Sequence, residues 1–213
     1  MASNLAQQLR LMLVTDDRLL AGRDLVDLAR RAVRGGVTAV QLRLKQASAR
    51  ELVDLARALR AAVPVPVLVN DRPDVAFVAG AGVHLGPDDL PVELARRLLP
   101  PPAIVGASAG TLAEAEGARG ADYWGVGPWH ATGTKADAGG AIGAAGFRAI
   151  VAVSGGIPCV AIGGIRPEDV PAVLGAGGVG VAVVSGILAA DDVEAAARAY
   201  ARMFGEGGAA GAG

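Results

Sequence analysis

The sequence predicts a single-domain α/β fold, a closed (β/α)8 TIM barrel. Three observations carry this. Apolar runs of five to seven residues alternate eight times with amphipathic stretches along the 213 residues. The runs are rich in Val, Ile and Leu at successive positions, the pattern of parallel strands buried on both faces. The length lies near the lower limit for one eight-fold barrel. A doubly wound open sheet is the alternative, but eight such units close naturally into a barrel.

The units follow in order. LMLVTD forms the first strand, with a helical pattern over 23–34. AVQLRLK leads into 49–61, VPVLVND into 73–79 and GVHLG into 90–99. In the second half AIVGAS leads into 111–118, DYWGVG into a long loop and 142–153, PCVAIGG into 167–174, and VGVAVVS into 191–204. Glycine steps precede the second, fourth, sixth and eighth strands: Gly35-Gly36, Gly80-Ala81-Gly82, Gly120-Ala121 and Gly175-Ala176-Gly177-Gly178. Glycine there takes the left-handed conformation that ends a helix, and the even phasing points to an old βαβα repeat. Residues 1–10 are expected to be an extension, 11–204 the barrel, and 205–213, which hold no large apolar residue beyond Phe204, a disordered tail.

Composition narrows the function. Twenty basic and 21 acidic residues nearly cancel, which removes the driving force for nucleic acid or anionic membrane and favours small or metal-bound substrates. The first residues lack a signal-peptide pattern and no apolar run approaches a membrane span, so a cytoplasmic location is expected. Cys159 is alone in an apolar stretch, which excludes a disulfide framework or cysteine metal site within the chain and suggests a buried thiol. Lysine occurs only at Lys45 and Lys135, asparagine only at Asn4 and Asn70, and histidine only at His84 and His130, so the positions of these residues are informative.

Barrel chemistry sits where strands end and βα loops begin. After the second strand, period-two alternation sends Gln41, Arg43 and Lys45 to one side and Leu42 and Leu44 to the other. The third strand ends at Asn70-Asp71, the fourth runs from His84 towards Asp88-Asp89, and the fifth ends at Ser108. Thr132, Thr134 and Lys135 follow the sixth strand, ahead of a glycine-rich stretch suited to a lid. A lysine kept amid so much arginine suits a compact charge beside phosphate oxygens. Gly163-Gly164 and Val184-Ser185 occupy the seventh and eighth loops, where barrels build phosphate cradles, and the N–H groups of Gly164 and Ser185 are the expected donors. Asp71 and Asp89 read either as helix N-caps or as Mg2+ ligands. His84 reads as structural on its apolar strand, the two threonines as local hydroxyls or phosphate contacts, and Trp129 and His130 stay open between packing and substrate contact.

The strings QLRLK, VNDRPDVA, GVHLGPDD, VGAS, YWGVGPWHATGTK, AIGGI and VAVVSGI, in this order, resemble those of the thiamine-phosphate synthase family. The resemblance runs from the first strand to the last helix. It implies the joining of a pyrimidine diphosphate to a thiazole phosphate with Mg2+ and loss of pyrophosphate. By the same likeness Gln41, Arg43, Lys45, Asn70, Ser108 and Lys135 would hold the pyrimidine diphosphate. Asp71 and Asp89 would bind Mg2+, and Thr132, Thr134, Gly164, Val184 and Ser185 would hold the thiazole phosphate. The chain departs from the family pattern at Leu44, Pro87, Gly110 and Trp129-His130-Ala131. Two alternatives accompany this reading. One is a thiazole tautomerase of the same barrel family, against which Pro128 stands where its catalytic His is expected; the other is a non-catalytic barrel that binds a phosphate ligand.

Overall fold

The computed structural model describes residues 2–20, 22–131 and 140–206. Eight parallel strands close into one barrel in chain order: β1 Leu11–Val14, β2 Ala39–Leu42, β3 Val67–Asn70, β4 Gly82–Leu85, β5 Val105–Ser108, β6 Tyr123–Val126, β7 Cys159–Ile162 and β8 Gly180–Val183. Leu13 pairs with both Val40 and Val183, which closes the ring. Each strand is four residues long, shorter than the apolar run that announced it. Residues of the runs beyond the strand ends, such as Arg43, Lys45, Asp71, Gly86, Gly127, Gly163, Gly164, Val184 and Ser185, line the barrel mouth.

The helices are α1 Ala2–Gln8, α2 Asp17–Leu20, α3 Leu25–Arg34, α4 Ala49–Ala62, α5 Pro73–Ala79, α6 Val92–Leu98, α7 Leu112–Gly117, α8 Gly143–Val153, α9 Val170–Gly175, α10 Ser185–Leu188 and α11 Val193–Glu206. A 3-10 turn, Pro167–Asp169, precedes α9. The eight expected helical stretches are all present. Three short helices were not expected: α2 and α10 each occupy one turn of a loop, and α1 lies within residues 1–10. Helix α11 runs two residues past Phe204, and residues 207–213 lie outside the described residues.

Two apolar layers hold the fold. The outer layer packs strands against helices through residues such as Leu11, Leu13, Val40, Leu42, Leu59 and Phe147. The inner layer fills the barrel itself with Leu9, Met12, Val14, Leu68, Tyr123 and Val160, and Leu5 of α1 packs onto it from below. Leu9 is fully buried, so the segment ahead of β1 contributes a side chain to the barrel's interior. Alternation along β2 puts Leu42 in the outer layer and turns Gln41 inward.

The glycine phasing holds in part. Gly36, Gly80, Gly120 and Gly177, ahead of the even strands, all have positive φ. Gly155 and Gly156 ahead of β7 do too, so the device is not confined to even strands. Cys159 is buried, and burial pushes its thiol up to about 11. Among the described residues no helix is long and apolar enough to cross a membrane.

Candidate active site

A cavity of about 880 Å³ opens at the C-terminal ends of the strands. Gln41, Arg43, Lys45, Asn70, Asp71, Asp89, Ser108, Gly164, Val184 and Ser185 all line it. The structure thus brings together ten of the expected site residues from six strand ends. Thr132, Thr134 and Lys135, with most of the expected lid, lie outside the described residues.

The cationic wall is built from β1 and β2. Thr15 Oγ1 accepts from the Arg43 N–H at 2.8 Å and donates to the Arg43 carbonyl at 3.3 Å. Asp16 Oδ2 meets Arg43 Nη1 at 3.2 Å with both side chains largely buried, and Asp17 Oδ2 accepts from the Lys45 N–H at 2.7 Å. The turn after β1 therefore fixes both the backbone and the guanidinium of the second strand's extension. These residues were missed in the sequence. They stand directly after an apolar run, as Asn70-Asp71 do, so the strand-end rule applied to the first strand would have found them.

Asp71 and Asp89 face each other from neighbouring loops. Burial, and then the neighbouring Asp89 carboxyl, push Asp71 up to about 6, while Lys45 and Arg43 pull it down. Asp71 is also the one non-glycine residue with positive φ among the described residues, at 64°, and its N–H donates to the His84 carbonyl at 2.8 Å. Asp89 Oδ2 accepts from the Gly86 N–H at 2.6 Å. Neither carboxylate caps a helix: the N-cap positions of α5 and α6 are Arg72 and Pro91, without side-chain cap bonds. The capping alternative falls, and the pair stands as two hard oxygen donors in the cavity wall.

Behind them lies a buried polar chain. His84 Nδ1 is 2.9 Å from Tyr123 Oη, and His84 Nε2 is 3.2 Å from Ser108 Oγ. Tyr123 is buried, and burial raises its phenol far above the ordinary range. Glycines make the room: a Cβ on Gly106 would overlap the Tyr123 ring, and one on Gly125 would lie 2.9 Å from the His84 ring. The apolar strand around His84 gives it a structural reading. It is held on both nitrogens, yet it also lines the cavity. The signal was its parity with Asn70, since the two are register partners on β3 and β4.

The seventh and eighth loops form the opposite wall, because β7 lies across the closed ring from β3. Gly163 and Gly164 have φ of 97° and 66°, and a Cβ on either would press within 3 Å of Pro128 or His130. Only glycine permits this approach of the backbone. Ser185 begins α10, so its N–H has no partner within the helix. Tyr200 of α11 donates to the Ile165 carbonyl at 2.9 Å, and its ring excludes any Cβ on Gly186, which ties the two loops together. Nothing in the local sequence announces Tyr200, which reaches the site from the last helix. Trp129 is buried edge-on against Phe147, which assigns it to packing. His130 pairs with Asp169.

A family model described as thiamine monophosphate synthase matches residues 11–187. A thiamine-phosphate synthase of Azorhizobium caulinodans is 51% identical over 196 residues, covering 89% of this chain and 92% of that protein. One from Xanthobacter autotrophicus is 54% identical over 197 residues, covering 90% and 93%. A solved structure of thiamine phosphate pyrophosphorylase from Pyrococcus furiosus superposes with a TM-score of 0.85 at 39% identity, covering 95% of this chain and 98% of that one.

Proposed function

The chain belongs to the thiamine monophosphate synthase family and is a transferase, and from that premise we propose how its cavity works. It couples 4-amino-2-methyl-5-hydroxymethylpyrimidine diphosphate with 4-methyl-5-(2-hydroxyethyl)thiazole phosphate to give thiamine monophosphate and pyrophosphate. The observation that carries the reading is that one cavity has two unlike walls. Arg43, Lys45 and the Asp71–Asp89 pair stand on one side and the backbone of Gly164 and Ser185 on the other. A diphosphate with a metal suits the first, and a monophosphate suits the second.

The donor set of the acid pair fits Mg2+. Two facing carboxylates, one of them pushed up to about 6, mark a place where a cation would relieve their repulsion, and Mg2+ takes one or two carboxylates plus substrate phosphates. Asp71 and Asp89 would hold it, and when bound it would neutralise charge on the departing diphosphate.

Arg43 and Lys45 orient the diphosphate, with Gln41, Asn70, Ser108 and Lys135 completing its contacts. As the carbon–oxygen bond to pyrophosphate breaks, negative charge grows on the leaving group, so fixed cations favour the transition state over the ground state. Asp16 holds Arg43 in place, which spares the site that reorganisation. The electron-rich aminopyrimidine carries the cation left at its methylene, and the thiazole nitrogen attacks it. That nitrogen's lone pair forms the new bond, so no general base is needed. Thr132, Thr134, Gly164, Val184 and Ser185 hold the thiazole phosphate in line for attack.

The thiazole tautomerase reading lacks support. Pro128 lines the cavity where an acid–base group would be required, and its ring has nothing to titrate. The direct test is product analysis after incubation with both substrates and Mg2+. Thiamine monophosphate is expected, whereas isomerised thiazole phosphate without coupling would overturn the reading.

A further inference from the structure

The pairing of His130 with Asp169 belongs to none of the roles above. His130 lies on the limb leaving β6, and Asp169 ends the 3-10 turn that follows β7. His130 Nε2 is 3.0 Å from Asp169 Oδ1 and 2.9 Å from Oδ2. Asp169 Oδ2 also accepts from the Arg166 N–H at 2.8 Å, and the Asp169 side chain is only 15% exposed. The backbone makes a second tie, since the His130 N–H donates to the Gly163 carbonyl at 2.9 Å. A third is steric: a Cβ on Gly164 would lie 2.9 Å from the His130 Cβ. Three contacts thus converge on the segment from Gly163 to Arg166, which lines the cavity while His130 and Asp169 do not.

We propose that His130 is a positioning residue for the monophosphate, acting through Asp169 to hold the Gly163–Arg166 backbone where the Gly164 N–H meets a phosphate oxygen. Both glycines there have left-handed φ, so the backbone has little intrinsic reason to keep one shape. Its shape must be imposed by neighbours. The bond to a largely buried carboxylate suits that task, because a charge-assisted hydrogen bond is stronger and more directional than a neutral one. The carboxylate oxygens of Asp169 accept, so Nε2 is the donor of this bond. The inference rests on the proposed function in one respect, that the monophosphate cradled here is the thiazole phosphate.

The test compares wild type with His130→Phe, His130→Gln, Asp169→Asn and the His130→Phe/Asp169→Asn double variant. His130→Phe should raise KM for the thiazole phosphate roughly 3- to 10-fold, the scale of one ordinary hydrogen bond. The KM for the pyrimidine diphosphate should stay within about twofold. His130→Gln, whose amide also donates, should recover part of the loss. The double variant should be no worse than the worse single one, as for two residues acting as one unit. Equal shifts in both KM values, or additive losses, would overturn the proposal. In parallel, binding of inorganic phosphate by the same proteins should weaken by a similar factor in His130→Phe. If wild type does not couple the substrates but this phosphate effect appears, the functional reading fails and the positioning role stands. If wild type couples them and neither readout moves, the positioning role fails alone. Should His130→Phe not fold, His130→Gln and Asp169→Asn decide by the same two readouts.

Discussion

Asp71 and Asp89 face each other from neighbouring loops at the barrel mouth, and Asp71 holds a left-handed backbone with φ of 64°. Burial and a like charge make this arrangement costly in the absence of a cation. Asp71→Asn should therefore raise the melting temperature of the metal-free protein at pH 8, by about 2–4 °C, since asparagine tolerates the same backbone without the charge. Turnover at limiting Mg2+ should fall at least ~10-fold. Thermal scans beside activity check both; unchanged activity would remove Asp71 from the metal site.

The same pair gives a pH dependence. Asp71 titrates at about 6, above its ordinary 3.8, so the stability its protonated form contributes is full below pH 3.8 and is lost as the pH rises through about 6. Mg2+ held by the deprotonated pair, as proposed, would restore it. The metal should accordingly raise the melting temperature clearly at pH 8 and hardly at pH 5. A shift of equal size at both values would place the cation elsewhere.

Arg43 depends on Asp16. Their side chains are 14% and 12% exposed, so truncating the acid leaves a mostly buried guanidinium without its partner. Asp16→Ala should raise KM for the pyrimidine diphosphate by about tenfold and leave that for the thiazole phosphate nearly unchanged. Steady-state kinetics with each substrate varied in turn would show it.

Two glycine substitutions should move stability in opposite directions. Gly106→Ala drives a methyl into the Tyr123 ring inside the barrel and should destabilise by about 2–3 kcal/mol. Gly117→Ala, in the last turn of α7 with nothing within 4 Å of the new Cβ, should stabilise by about 0.5 kcal/mol. Denaturant unfolding of both variants is the check.

The barrel was legible because its strands are continuous apolar runs and its helices are periodic. The site was legible where alternation or a strand end exposed it, as for Gln41, Arg43, Lys45, Asn70 and Ser108. What was illegible depended on distant packing. Tyr200 reaches Ile165 from 35 residues away, and the His84–Tyr123 contact spans 39. Helices α2 and α10 are single turns, too short for any period to register. Asp71 and Asp89 were ambiguous because a pre-helical aspartate is the same signal whether it caps or binds, and only the cap geometry of α5 and α6 separates the two. His130 had no pattern at all, since its meaning lies in Asp169 on another loop.

If one cavity brings a metal-bound diphosphate and a monophosphate together for substitution at carbon, pyrophosphate release by the purified protein should depend on each substrate and on Mg2+, which omitting each in turn would show. Release that requires both substrates and the metal is the predicted result. Release from the pyrimidine diphosphate alone at the same rate, or none from the folded protein with all three present, would contradict it.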